Sequence, residues 1–173
     1  MESYMTTNES ASDSVAAKSV GYDRRERIET TVSSLIEERQ QVLVAYGKLA
    51  GLKSFDDVDP DADDTEKKRV RAAEVRTFLQ LLMDYTALGH FEIYQRIIEG
   101  KERRRAVKEA SDRVYPGIAA TTDFIVEFND KYDRFAATEE EMTTFDSDIS
   151  KIGEVLATRG ELEDEILDAL QQR

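Results

Sequence analysis

Residues 138–172 read TEEEMTTFDSDISKIGEVLATRGELEDEILDALQQ. Met142, Phe145, Ile149, Ile152, Leu156, Leu162, Ile166 and Leu170 recur there at helical intervals and form an apolar stripe along one side of a long helix. Thr138, with Glu141 three residues later, makes a capping-box pair at its start. Residues 139–173 hold eleven acidic against three basic side chains, so the outer face of this helix is strongly negative.

Working back along the chain, the same period recurs. Val114, Ile118, Ile125, Phe128, Tyr132 and Phe135 mark a third helix, which follows the basic run Lys101 to Lys108. Pro116 lies inside that pattern and either kinks the helix or opens a new one. A second helix is expected from about Thr65 to Glu99, with Val70, Phe78, Leu81, Leu82 and Tyr85 on its core face. Gly89 falls within it and predicts a bend or a close helix contact, because Gly in a helix costs about 1 kcal/mol against Ala. Phe91, Tyr94, Ile97 and Ile98 continue the apolar pattern to Gly100. The first helix is expected from Asp23, with Glu26 as its capping partner, to Gly51 as a left-handed C-cap. Ile28, Val32, Leu35, Ile36, Leu43, Tyr46, Leu49 and Ala50 trace its inner side.

No segment alternates with period two. The expected fold is all-α, an antiparallel four-helix bundle over residues 22–173 with the second and third helices open to kinking. Residues 1–21 are polar and without periodicity, and are expected to be a disordered tail.

The composition narrows the function. With 24 Lys and Arg against 37 Asp and Glu, the formal charge is −13, a field that repels nucleic acid and anionic lipid and attracts basic partners. The same excess also suits plain solubility in a salty cytoplasm, and the two explanations coexist. No apolar run is long enough to span a membrane, and Met1 to Gly21 lacks the features of a secretory signal. Absence of Cys removes disulfides, thiolate nucleophiles and Cys-based zinc sites. A cytoplasmic location, with a monomer favoured, is the simplest expectation.

Catalysis finds little support. Bundle di-metal sites need two Glu-x-x-His motifs, but the single His, His90, has Ala87 three residues before it. A Ser-His-acid triad could use only His90, and no Ser sits in a nucleophile elbow. Phosphate-binding Gly spacings are missing. The loop from Asp56 to Asp64, six Asp in nine residues, imitates a calcium loop. Counted from Asp57, however, the required Gly is Ala62 and the bidentate Glu is Lys68. No enzyme activity, cofactor or metal is expected.

The segment from Asp84 to Ile97, DYTALGHFEIYQRI, is apolar over more of its circumference than a surface helix needs. Helical spacing puts Asp84, Ala87, Leu88 and Phe91 on one stripe, rotated by about 100° from the core stripe through Phe78, Leu82 and Tyr85. Such a helix is either buried on two sides or turns an apolar strip, edged by an acid, toward a partner.

This block, with Gln41 to Leu52 (QVLVAYGKLAGL), Tyr115-Pro116 and Ile152 to Asp164 (IGEVLATRGELED), resembles the Rsd/AlgQ family of sigma-factor regulators over about residues 25–170. The resemblance implies an anti-sigma factor, a helical bundle that binds region 4 of the primary sigma factor and competes with promoter or core RNA polymerase. By position it places Asp84, Ala87 and Phe91 in the contact surface, with Ala87 where the family has Ser. Leu88, His90 and Tyr94 complete the candidate sigma-binding set. His90 also reads as a satisfied structural histidine, and Tyr94 as a core residue with its polar end paired. A helical adaptor for some other basic protein is the alternative, followed by a metal-dependent bundle enzyme using His90 and nearby carboxylates.

Overall fold

The computed structural model describes residues 9–51 and 61–172, with side chains from Arg25 onward. Four long helices form the bundle expected from the sequence. They are α1 (Glu9–Leu49), α2 (Asp64–Leu88), α4 (Arg105–Tyr132) and α5 (Glu139–Gln171). A π segment, Gly89–Tyr94, and the four-residue α3 (Gln95–Ile98) extend α2. Helices pack in the order α1, α2, α4, α5 and back to α1, and no strand occurs among the described residues.

Two expectations change. Helix α1 begins at Glu9 rather than near Asp23, so residues 9–21, expected to lack structure, continue the helix. No Pro interrupts them, and Ala16 and Ala17 are strong helix formers. Pro116 sits inside an unbroken α4, which overturns its reading as the start of a new helix. Residues 1–8 of the expected tail, and 56–60 of the acidic loop, lie outside the described residues.

The helix ends carry the chemistry their sequences announce. Asp63 caps α2 by accepting from the Glu66 amide at 2.8 Å. Thr138 and Glu141 close their capping box, with the Thr138 amide donating to Glu141 Oε2 at 3.0 Å. Gly100, at φ 70°, ends α3 with Lys101 N–H donating to Arg96 C=O at 3.0 Å and its own N–H to Ile97 C=O, a Schellman closure. Antiparallel alignment of α4 and α5 is visible in successive pairs: Arg113 with Glu165, Gly117 under Leu162, Thr121 with Arg159, and Lys131 with Asp148. At the end of the bundle where α4 turns into α5, Phe78, Phe128, Tyr132, Phe135 and Phe145 form an aromatic core. Tyr132 lies edge-on to Phe145 at 5.0 Å between centroids.

Farther along, the core turns polar. The stripe on α5 runs Phe145, Ile149, Ile152, Leu156, then Arg159 and Glu163, then Ile166, all buried. Arg159 is 0% and Glu163 1% exposed. Glu163 Oε1 accepts from the Tyr94 hydroxyl at 2.9 Å, and Oε2 from the Tyr85 hydroxyl and from Arg39 Nη2 at 3.1 Å. Arg159 Nε lies 2.9 Å from Glu163 Oε1 as an ion pair, although its N–H is not aimed at the oxygen. Arg159 Nη1 donates to Thr121 at 3.0 Å and to Thr122 at 2.9 Å, and the guanidinium sits 5.4 Å from the Tyr85 ring centre. Arg39 also reaches Asp164 at 2.6 Å. One carboxylate thus joins α1, α2, the π segment and α5, and Arg159 adds α4.

Burial, and then the charge of Glu163, push the Tyr85 and Tyr94 hydroxyls well above the ordinary tyrosine value. The unfolded chain releases these protons at about pH 10, as an ordinary tyrosine does, while the folded chain keeps them. Their contribution is therefore fully present below about pH 10 and is lost as pH rises beyond it. Denaturant midpoints measured from about pH 9 to 11 should fall, and the double variant Tyr85→Phe/Tyr94→Phe should fall less steeply. Glycine substitutions test the packing. A Cβ at Gly153 would overlap the Tyr46 hydroxyl and ring, so Gly153→Ala should lower stability by about 1–3 kcal/mol. Gly47, also inside a helix, has nothing within 4 Å of such a Cβ. Gly47→Ala should stabilise by roughly 0.5–1 kcal/mol, both read from thermal unfolding.

Candidate functional site

Past Phe78, Leu82 and Tyr85, the buried stripe of the second helix continues through Gly89, Ile93 and Ile97, with Thr86 and Tyr94 buried beside it. Steps of four overshoot the 3.6-residue turn by about 40° each, so a plain α-helix would carry this stripe out of the core within three steps. The π segment absorbs the excess. Gln95 N–H reaches back to His90 C=O, and the extra residue per turn brings Ile93, Tyr94 and Ile97 back to the interior. The close contact expected at Gly89 is present. A Cβ there would stand 3.3 Å from Tyr94 Cε2 and 3.6 Å from Leu35 Cδ1.

On its outer side the same turn exposes three successive residues, His90, Phe91 and Glu92. Phe91 is 62% exposed, the largest exposure among the large apolar side chains of the described residues, and meets the His90 ring edge-on at 4.9 Å. Asp84 and Ala87 are exposed as well, and Leu88 is half-buried against the core. Both Asp84 carboxylate oxygens accept from Gln80 Nε2 at 3.0 Å, which holds the acid on the outer face. Five of the six candidate positions, Asp84, Ala87, Leu88, His90 and Phe91, therefore reach the outer or half-buried side of the helix. Tyr94 does not. It is 1% exposed with its hydroxyl on Glu163, so it is a core residue with its polar end paired rather than a contact residue. In a π turn, residues three apart do not share a face as they do in an α-helix, which separates the inward Tyr94 from the outward Phe91.

Sequence periodicity also missed neighbouring features. Ile98, expected in the core pattern, is 60% exposed. Between α1 and α2 runs a groove of about 750 Å³ whose floor includes Val44, Ala45, Val70, Ala73 and Leu81. Leu81 leads at helical spacing to Asp84 and Leu88. Val44 is 43% exposed there. The apolar content of this face is thus larger than the Asp84 to Ile97 block alone.

The arrangement suits recognition more than chemistry. Its titratable members are Asp84, His90 and Glu92, all exposed. Among the described residues no group of three His, Asp or Glu side chains is placed to hold a metal ion. No described helix is long and apolar enough to cross a membrane. The outer side of the turn thus presents an exposed aromatic side chain, Phe91, on a helix that also exposes Asp84 and Glu92, with Ile93 and Tyr94 buried behind it.

Comparison with known proteins gives a consistent picture. Residues 17–171 match the family described as regulator of RNA polymerase sigma(70) subunit, Rsd/AlgQ. A Yersinia enterocolitica protein named Regulator of sigma D is 31% identical over 137 residues, covering 79% of this chain and 77% of that protein. The Regulator of sigma D of Enterobacter sp. strain 638 is 32% identical over 136 residues, covering 79% and 77%. That of Yersinia pestis is 28% identical over 137 residues, covering 79% and 76%. No solved structure matches the chain. With nearly its whole described length matched in order, this chain belongs to the Rsd/AlgQ family of regulators of the RNA polymerase sigma(70) subunit.

Proposed function

We propose that this protein is an anti-sigma factor that binds region 4 of the primary sigma factor through Asp84, Ala87, Leu88, His90 and Phe91. Family membership and the names of the relatives support a sigma-factor regulator. The observation that carries the choice of site is Phe91, an aromatic side chain left 62% exposed beside an exposed acid, on a turn whose other side is locked into the core. A buried aromatic anchor with a charged rim is the usual energetic centre of a protein interface.

Region 4 approaches DNA phosphates and is therefore basic. A chain of net charge −13 attracts such a surface at a distance, and Asp84 supplies a specific acid next to the anchor. Phe91 and the half-buried Leu88 then supply apolar contact, and the groove floor along Val44, Val70 and Leu81 adds area on the same helix pair. Occupation of region 4 in this way competes with its promoter or polymerase contacts. The protein acts by binding, as a monomer in the cytoplasm, without catalysis, cofactor, membrane or direct nucleic-acid contact.

Isothermal titration with purified region 4 of the same organism's primary sigma factor tests the site. Phe91→Ala should cost about 2 kcal/mol of binding, roughly thirtyfold in affinity. Asp84→Lys should chiefly slow association and reduce its salt dependence. Both variants should keep native helical circular dichroism. If each binds as tightly as the parent, the docking surface lies elsewhere. An effect confined to charge reversal on the outer face of α5 would favour a general adaptor for basic proteins.

A further inference from the structure

The π segment has two sides with opposite tasks. Outward, it carries His90 and Phe91; inward, it carries Ile93 and Tyr94. π turns have poorer hydrogen-bond geometry than α turns, so one in the middle of a helix persists only where its surroundings hold it. Here little helix follows to hold it, since α3 is only four residues long before the Gly100 closure. The hold must come from the side. The Tyr94 hydroxyl donates to Glu163 at 2.9 Å. Glu163 is itself fixed by Arg159 and Arg39. The Tyr94 ring lies against Gly89, the first residue of the same turn, where a Cβ would come within 3.3 Å of Cε2.

An α register through residues 89–94 would set the outward and inward residues against each other. With Tyr85 and Gly89 kept inside, the following residues would rotate by about 100° for the one residue absorbed. Tyr94 would then leave Glu163. If Tyr94 stays on Glu163, the surplus residue has to remain in the turn, and His90 and Phe91 are pushed outward together.

We propose, building on the sigma-docking role of this face, that Tyr94 and Glu163 are positioning residues for it: their hydroxyl–carboxylate bond holds the π register that presents Phe91. Neither touches the partner. Gly89 is the third member, because the absence of its Cβ lets the Tyr94 ring close over the start of the turn.

Tyr85 provides an internal control. It donates to the same carboxylate and is equally buried, but it sits in the regular part of α2, ahead of the turn. Tyr94→Phe and Tyr85→Phe each remove one hydroxyl from Glu163, and both should lower the thermal midpoint. Only Tyr94→Phe should weaken binding to sigma region 4, by roughly tenfold, with Tyr85→Phe within about twofold of the parent. In the free protein, amide hydrogen exchange over residues 89–95 should accelerate in Tyr94→Phe and not in Tyr85→Phe. Gly89→Ala, which removes no polar group and favours the α register, should weaken binding and speed the same exchange. Equal binding by Tyr94→Phe and the parent, or equal loss in the two tyrosine variants, overturns the proposal. Should the folded parent not bind region 4 at all, the docking role falls, and exchange alone then decides. Acceleration confined to residues 89–95 in Tyr94→Phe sustains the positioning role, and unchanged exchange removes it.

Discussion

The buried carboxylate of Glu163 is the constraint around which the bundle is organised. Withdrawing a carboxylate and a guanidinium from water costs several kcal/mol per ion, and only close pairing with complete hydrogen bonding offsets it. Here the compensation comes from Arg39 on α1, Tyr85 on α2, Tyr94 in the π segment and Arg159 on α5, with Thr121 and Thr122 of α4 accepting from Arg159. Two guanidinium atoms of that residue, Nε and Nη2, lack a hydrogen-bond partner among the described residues. Apolar residues in place of such a buried ion pair are often no less stable. What the ions add is a single allowed alignment, since sliding any helix by one turn would strand a charge in a dry interior.

That alignment is what lets a surface feature be exact in place while being irregular in backbone. The π segment deviates from ordinary helical geometry, yet both its neighbours are fixed: α2 through Phe78, Leu82 and Tyr85, and the far side through Tyr94 on Glu163. Phe91 is therefore exposed on a turn anchored from beneath, rather than on a loop. Such preorganisation reduces the ordering that an interface must impose when it forms.

Most of the architecture was legible because its signals are local. Four apolar stripes, the Thr138 and Glu141 box, and the glycines at Gly51 and Gly100 mark helices and their ends directly, and the structure has all of them. Periodicity failed where a charged residue occupied a core position. On α1 the inner stripe runs Val32, Leu35, the half-buried Arg39, Val42 and Leu49, whereas Ile36 and Leu43, which the apolar pattern puts on the inner side, are each 46% exposed. On α5, Arg159 and Glu163 fall at the next two stripe positions after Leu156, and were hidden within an acidic face for the same reason. The jump from Leu156 to Leu162, wider than any other step in the apolar series, was the available signal. At the candidate site, helical spacing put Asp84, Ala87 and Phe91 on one stripe, and the family resemblance alone pointed to them as contacts. The opposite facing of Phe91 and Tyr94 had no signal, because no local pattern announces a π turn.

The hydrogen bonds of Glu163 also bear on the order in which the chain assembles. Its partners lie 69, 78 and 124 residues away in sequence, so the cluster closes only after the first and last helices have met. Helical hairpins such as α4 with α5 close over far shorter spans and can form first. Interactions completed late are absent from the folding transition state. They therefore leave the folding rate nearly unchanged and act by slowing unfolding. If the cluster closes after the folding transition state, the buried charges set the lifetime of the native bundle more than the speed of reaching it.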